Sequence, residues 1–198
     1  MLRLGLTGGI ATGKTAVAAM LREFGFDILD ADSLAHQLIY RGQPAYDEVL
    51  RDFGPTILDA AQQIDRSKLA AIVFADPSKL ARLNAILHPR VETLIHQQFD
   101  DLSRDRARKA AFVEAALLVE ANYHKKLDGL VVTWCRPEQQ LERLRSRGFS
   151  EQDARIRIAA QLPAAEKLRY AAEKIDTSGT LEDTSRQVQS LAAKLQEL

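Results

Sequence analysis

Apolar residues recur along the chain with two different spacings. Short apolar runs predict strands near residues 2–6, 27–30, 110–114, 130–135 and 174–177. Between the runs the spacing becomes helical. Val17, Met20, Leu21 and Phe24 stand at i, i+3, i+4 and i+7, one face of a helix. Tyr46, Val49, Leu50 and Phe53 repeat that spacing after Pro44, a residue suited to a first helical position. Ser67 is placed to cap a helix with Leu69, Ile72 and Val73, and Asp76-Pro77 opens another with Leu80, Leu83 and Leu87. His88-Pro89 is expected to break that helix before a new one carrying Val91, Leu94 and Ile95. Pro137 starts a helix that Gly148 stops, and Ser150 with Asp153 caps the next. Thr180 with Asp183 caps a last amphipathic helix with Val188, Leu191, Ala192 and Leu195 on one face.

Strands alternating with helices predict an α/β chain: a five-stranded parallel sheet flanked by helices on both faces. A length of 198 residues suits a single domain. Its core is expected over about 1–32, 106–135 and 160–198, with a helical insertion over about 33–105 and a lid over about 136–159. Charge narrows the partners. Lys plus Arg (27) equals Asp plus Glu (27), so no basic field marks a nucleic-acid or membrane partner. Cys135 is the only cysteine, which excludes an internal disulfide and fits a reducing setting. No apolar run has the length of a membrane span, and Met1 to Leu6 passes straight into the loop, so no leader and a cytoplasmic protein are expected.

The first strand and the first helix enclose Gly8-Gly9-Ile10-Ala11-Thr12-Gly13-Lys14-Thr15, which fits G-x-x-x-x-G-K-[ST] in the strand–loop–helix context it requires. Glycines let main-chain N–H groups turn toward an anion, and the helix presents its positive end to the same place. Residues Gly8 to Ala16 are therefore expected to bind ATP. Lys14 would reach the β- and γ-phosphates, and the Thr15 hydroxyl would join the Mg²⁺ shell. Glu114, an acidic residue ending an apolar strand, is the candidate second metal-associated group.

The second strand ends in Asp30-Ala31-Asp32, where α/β sheets bind ligands. Strand alternation would turn one aspartate into the cleft and the other away. Asp32 is the candidate facing a second substrate; the alternative is a cap for a helix beginning near Ser33. Arg143 and Arg147 stand at i, i+4 on one helix face and suit a lid over a transferring phosphoryl group. Asp52-Phe53-Gly54 spells the protein-kinase triplet, but neither the G-x-G-x-x-G loop nor H-R-D accompanies it, so a helix face ended by Gly54 is expected instead. No N-K-x-D is present to read guanine, and the compact chain with its helical insertion points to a small-molecule or nucleotide kinase.

From residue 1 to about 180 the chain resembles the dephospho-CoA kinases. The matching pieces are Leu6-Thr7-Gly8-Gly9-Ile10 with the rest of the loop, Asp30-Ala31-Asp32 and Leu83-Asn84-Ala85-Ile86-Leu87-His88-Pro89. Leu117-Leu118-Val119-Glu120, Gln140 with Arg143-Leu144 and Arg147, and Gln161 follow. The resemblance implies a P-loop nucleotide-kinase-like fold and transfer of phosphate from ATP to the ribose 3′-hydroxyl of dephospho-CoA, with Mg²⁺. It implies that Asp32 faces that hydroxyl and that Lys14 with Arg143 or Arg147 stabilises the transferred group. The acceptor site would be shaped by Asp32, His88, Leu117 and Leu118, with His88 open to a structural reading as a helix-start residue. The enzyme is expected to act as a monomer on ATP and dephospho-CoA. The chain departs from the family pattern at Glu114 for aspartate and Ala116 for proline, and an A-D…I-D-N-x-G pattern becomes Ala172-Glu173-Lys174-Ile175-Asp176-Thr177-Ser178-Gly179. Two other readings stay open: a kinase for another small metabolite, and a protein that binds ATP as a regulator.

Overall fold

In the computed structural model, which describes residues 1–198, five strands form one sheet: β1 (Leu2–Gly8), β2 (Asp27–Asp30), β3 (Ala110–Glu114), β4 (Gly129–Trp134) and β5 (Glu173–Asp176). Their spatial order is β2-β3-β1-β4-β5. The pairings of β1 with β3, β1 with β4 and β4 with β5 are all parallel. The chain moves to one side of β1 first and to the other side afterwards. The loop leaving β1 therefore lies at the point where the strand order reverses, which is where such sheets bind ligands.

Two compact units divide the chain: residues 1–29 with 101–198, and residues 30–100. The first holds the sheet. Its strands alternate as pleating requires. Leu4 and Leu6 of β1, Phe112 of β3, Val131 of β4 and Ile175 of β5 share a cluster with α1 (Lys14–Glu23) and α9 (Leu181–Gln196). Val17, Leu21 and Val188 supply the helix side of that cluster as their spacing predicts. Phe26 meets Phe112 edge to face, with ring centroids 5.7 Å apart. No helix is long and apolar enough to cross a membrane.

Thr180 and Asp183 form the expected capping box. The Thr180 amide donates to Asp183 Oδ2 at 2.9 Å, and the Asp183 amide donates to Thr180 Oγ1 at 3.1 Å. The Thr180 hydrogen bonds, aided by Arg186, hold the Asp183 carboxyl down at about 2, from 3.8. A depressed carboxyl pKa stabilises the fold above the unfolded value and loses that contribution as pH falls through the folded one. Asp183→Asn is therefore expected to flatten the acid limb of stability between about pH 4 and pH 2, measured by denaturant unfolding at each pH. An unchanged limb would remove the box from the acid response.

The second unit packs α2 (Ala31–Leu38), α3 (Tyr46–Phe53), α4 (Arg66–Ala75) and most of α5 (Pro77–Ser103) around Leu38, Val49, Ile57, Leu69, Val73, Leu83 and Ile86. Three helix boundaries differ from the sequence expectation. α3 starts at Tyr46, not Pro44, because Gln43 and Ala45 donate their amides back to Tyr40 O and Leu38 O and hold that stretch as a turn. The cap of α4 is Asp65, whose Oδ1 accepts the Ser67 and Lys68 amides at 2.8 and 3.2 Å. Ser67 is the second residue of α4, within its first turn. His88-Pro89 does not end a helix: α5 runs unbroken through Pro89 for 27 residues. Leu83, Ile86 and Leu87 before it, and Val91 and Leu94 after it, belong to one apolar cluster. That shared burial outweighs the hydrogen bond proline removes. Arg90 also donates to the Ile86 carbonyl at 2.6 Å while pairing with Glu48. As expected, Asp52-Phe53-Gly54 is structural: Asp52 pairs with Arg82, Phe53 packs on the cluster, and Gly54 ends α3 at φ 78°.

Candidate active site

The loop between β1 and α1 is built to leave an anion cradle. Gly13 sits at φ 82°, and a Cβ there would come within 2.9 Å of Thr177. A Cβ on Gly8 would fall 2.1 Å from Thr133 Oγ1. Ala11 also takes a positive φ, 60°. Its methyl is buried with Leu144 and Ala154, which holds a conformation that alanine disfavours. Thr12, within the variable part of the motif, is buried; its hydroxyl bridges Gly9 O at 2.8 Å and Thr133 Oγ1 at 2.9 Å. α1 begins at Lys14 with no side-chain cap and no acidic residue in its first turn. Its free N–H groups and positive dipole end are thus left for a ligand anion.

Lys14 Nζ lies 3.2 Å from Glu114 Oε1, and both side chains are largely buried. The β1–β3 register, which sets Leu6 opposite Glu114, places that carboxylate beside the loop. Thr15 is exposed at the first turn of α1.

The two arginines differ in their surroundings. Arg143, on α6 (Pro137–Ser146), donates to Thr177 O at 2.6 Å, to Thr177 Oγ1 at 3.0 Å and to Ala11 O at 3.3 Å. Arg147, at the carboxyl end of α6, is exposed. Both line one cavity of about 240 Å³ with Ala11, Gly13, Ala16 and the segment from Thr177 into the first turn of α9. After Gly148, Ser150 caps α7 (Glu151–Ala159) through the Asp153 amide at 3.1 Å. Cys135 is buried behind the loop, its Sγ 3.9 Å from Ala11 O, and burial pushes its thiol up. It is a packing residue.

Asp30 and Asp32 do not alternate along a strand, because α2 starts between them at Ala31. The cap is Asp30, whose Oδ1 accepts the Asp32 and Ser33 amides at 3.0 and 3.1 Å. Asp32 is exposed in the first turn of α2, relieved of the capping duty weighed for it. His88 is exposed in the middle of α5, so the helix-start reading of it fails. The adjacent leucines part: Leu117 is 46% exposed, while Leu118 is buried at 4% and packs toward Gly5 of β1. Leu118 is a core residue, and only Leu117 is presented to solvent.

Lys167 escaped the sequence reading. It lies on α8 (Ala164–Leu168), is fully buried, and donates to Ala116 O at 2.6 Å and to Glu120 Oε1 at 2.8 Å. Glu120 also accepts the Leu162 amide at 3.0 Å. A buried ammonium needs such pairing. In the sequence Lys167 looks like any solvated helical lysine, and no local signal marks it.

A phosphate loop at the switch point of a parallel five-stranded sheet, an uncapped helix behind it and a paired lysine within it define a P-loop kinase. The sequence profile of the dephospho-CoA kinases matches residues 2–183. A dephospho-CoA kinase of Aquifex aeolicus is 41% identical over 196 residues, 98% of each chain. A crystal structure from Thermus thermophilus superposes with a TM-score of 0.81 at 33% identity, covering 98% of this chain and 97% of that one. The dephospho-CoA kinase of Campylobacter jejuni superposes at 0.76 with 25% identity and the same coverage. The chain belongs to the dephospho-CoA kinase family.

Proposed function

We propose that this chain carries out the ATP-dependent phosphorylation of dephospho-CoA to coenzyme A through the residues of its phosphate loop, Arg143, Arg147 and Asp32. The observation that carries the reading is the pre-formed cradle: N–H groups at the uncapped start of α1, with Lys14 held at the loop by Glu114. Gly8 to Ala16 bind the ATP phosphates. The cavity bounded by Ala16, Arg143 and the segment from Thr177 into α9 takes the nucleoside side. Asp32 orients the ribose 3′-hydroxyl. The hydroxyl oxygen attacks the γ-phosphorus, the bond to the β-phosphate oxygen breaks, ADP leaves, and the hydroxyl proton passes late to Asp32. Lys14 and Arg147 offset charge on the transferring group, while Arg143 is anchored to the loop and to Thr177.

A hydroxyl and a carboxylate are hard oxygen donors of the kind Mg²⁺ takes beside phosphates, so Thr15 and Glu114 fit that ion. Mg²⁺ supplies charge neutralisation across the β- and γ-phosphates when bound. Leu117 and His88 are the exposed residues assigned to the acceptor, and the enzyme is read as a cytoplasmic monomer.

The test is ADP release with Mg-ATP, with and without dephospho-CoA, beside adenosine and shikimate as control acceptors. Stimulation by dephospho-CoA alone, with coenzyme A as product, is expected. Stimulation by another acceptor would move the substrate assignment. No stimulation by any acceptor, with ATP still bound, would favour the regulator.

A further inference from the structure

We infer that Gln140 and Gln161 are positioning residues of the phosphate loop: between them they hold both backbone groups of Ile10 and tie the loop to the arginine-bearing α6–α7 pair. The Ile10 amide donates to Gln161 Oε1 at 2.7 Å, and Gln140 Nε2 donates to Ile10 O at 2.7 Å. The backbone dictates which end of each side-chain amide is used, since an N–H only donates and a carbonyl only accepts. Gln161 therefore acts as acceptor and Gln140 as donor, and their roles cannot be exchanged.

The neighbouring carbonyls show what this holding achieves. Gly9 O accepts from Thr12 Oγ1 at 2.8 Å, Ala11 O from Arg143 at 3.3 Å, and Thr12 O from Thr177 Oγ1 at 3.0 Å. With Ile10 O taken by Gln140, four successive loop carbonyls are each engaged by a side chain. A loop whose carbonyls are held outward leaves its later N–H groups, from Gly13 onward, free to face an anion. Gln140 and Arg143 stand one turn apart on α6, so a single helix face secures consecutive carbonyls.

Gly9 gives a second, independent sign. A Cβ there would lie 3.0 Å from Gln140 Nε2, 3.3 Å from Thr12 Cγ2 and 3.7 Å from Gln161 Oε1. The two amides close over that glycine. Apolar contact supports them: Ile10 packs with Leu141, Phe149 and Ile158, around the buried Ala11, Leu144 and Ala154. Gln140 lies near the start of α6 and Gln161 just past the end of α7. Both ends of the arginine-bearing segment are thus fastened to the loop.

The inference rests on the reading of the loop as the ATP site, so Mg-ATP binding to the unaltered chain is measured first, by calorimetry. Failure there would overturn that reading and this inference with it; failure only among the variants overturns the inference alone. The variants are Gln140→Met and Gln161→Met, which keep length and remove the amide, and Gln140→Glu and Gln161→Glu. Steady-state kinetics and the hydrogen exchange of the Ile10 amide, followed by NMR on the unliganded chain, are the readouts. Each methionine variant is expected to raise KM for ATP about three- to tenfold, the size of one hydrogen bond, with KM for dephospho-CoA unmoved. Gln161→Met is expected to speed Ile10 exchange, and Gln161→Glu, still an acceptor, to keep it slow. Gln140→Glu turns a carboxylate oxygen toward a carbonyl and is expected to raise KM for ATP further than Gln140→Met. Equal changes in both KM values, no change in either, unaltered Ile10 exchange in Gln161→Met, or near-normal kinetics in Gln140→Glu would each overturn the inference.

Discussion

Replacing Lys14 with methionine is expected to lower kcat about a thousandfold, the scale of losing a charged donor aimed at a transition-state oxygen. Lys14 begins α1 and reaches Glu114 at 3.2 Å, so its ammonium is held at the mouth of the loop before any ligand arrives. Methionine keeps the volume and removes the charge. It also strips Glu114, largely buried, of the ammonium beside it, and an uncompensated carboxylate is costly there. Stability and catalysis are therefore lost together, and a second variant separates them. Lys14→Met with Glu114→Gln removes both charges. Thermal unfolding of the double variant should recover most of the lost stability, while turnover should stay low. Turnover of Lys14→Met within tenfold of the unaltered enzyme would contradict a role for the ammonium in phosphoryl transfer. Recovery of turnover in the double variant would reduce Lys14 to a structural counterion.

Asp32→Ala carries the second large effect: a fall in kcat of about a hundred- to ten-thousandfold, with ATP affinity within about twofold. The physical reason for expecting a clean result lies in the cap of α2. Asp30, not Asp32, accepts the amides that open the helix, and those amides remain when residue 32 becomes alanine. The fold should lose only the small helix-end contribution of an acidic residue, about 0.3–1 kcal/mol. Asp30→Ala gives the contrasting pattern, with about 1 kcal/mol of stability lost through the cap. Nearly normal turnover in Asp32→Ala would exclude Asp32 as the group that orients the ribose hydroxyl. Weakened ATP binding of similar size to the kcat loss would indicate a disturbed fold instead of a missing catalytic group.

Much of this was legible in the residues. The phosphate loop is read from a contiguous stretch because its function is local: a strand delivers it, glycines shape it, and a helix begins at its lysine. The capping box at Thr180 and Asp183 is legible for the same reason, since both partners lie within one turn. Buried faces followed from spacing alone at Val17 and Leu21 and again at Val188 and Leu191. The fold class follows from strands alternating with helices.

Other features depend on partners that spacing cannot show. Pro89 reads as a break, yet the apolar residues on both sides of it belong to one cluster, and burial overrides the local preference. Two aspartates separated by one residue offer two caps; the entry of the chain into α2 decided for Asp30. Leu117 and Leu118 look equivalent until the packing under Gly5 buries one and leaves the other exposed.

By itself, then, the sequence determined the strands, the helix faces and the phosphate loop, because each depends on residues a few positions apart. The tertiary structure alone decided the pairing of Lys14 with Glu114, the burial of Lys167 and the closing of Gln140 and Gln161 on Ile10. Those partners are separated by 100 residues or more, or owe their burial to distant segments. Only sheet register and helix packing bring such groups within hydrogen-bond reach, and neither is written in the periodicity of a single segment.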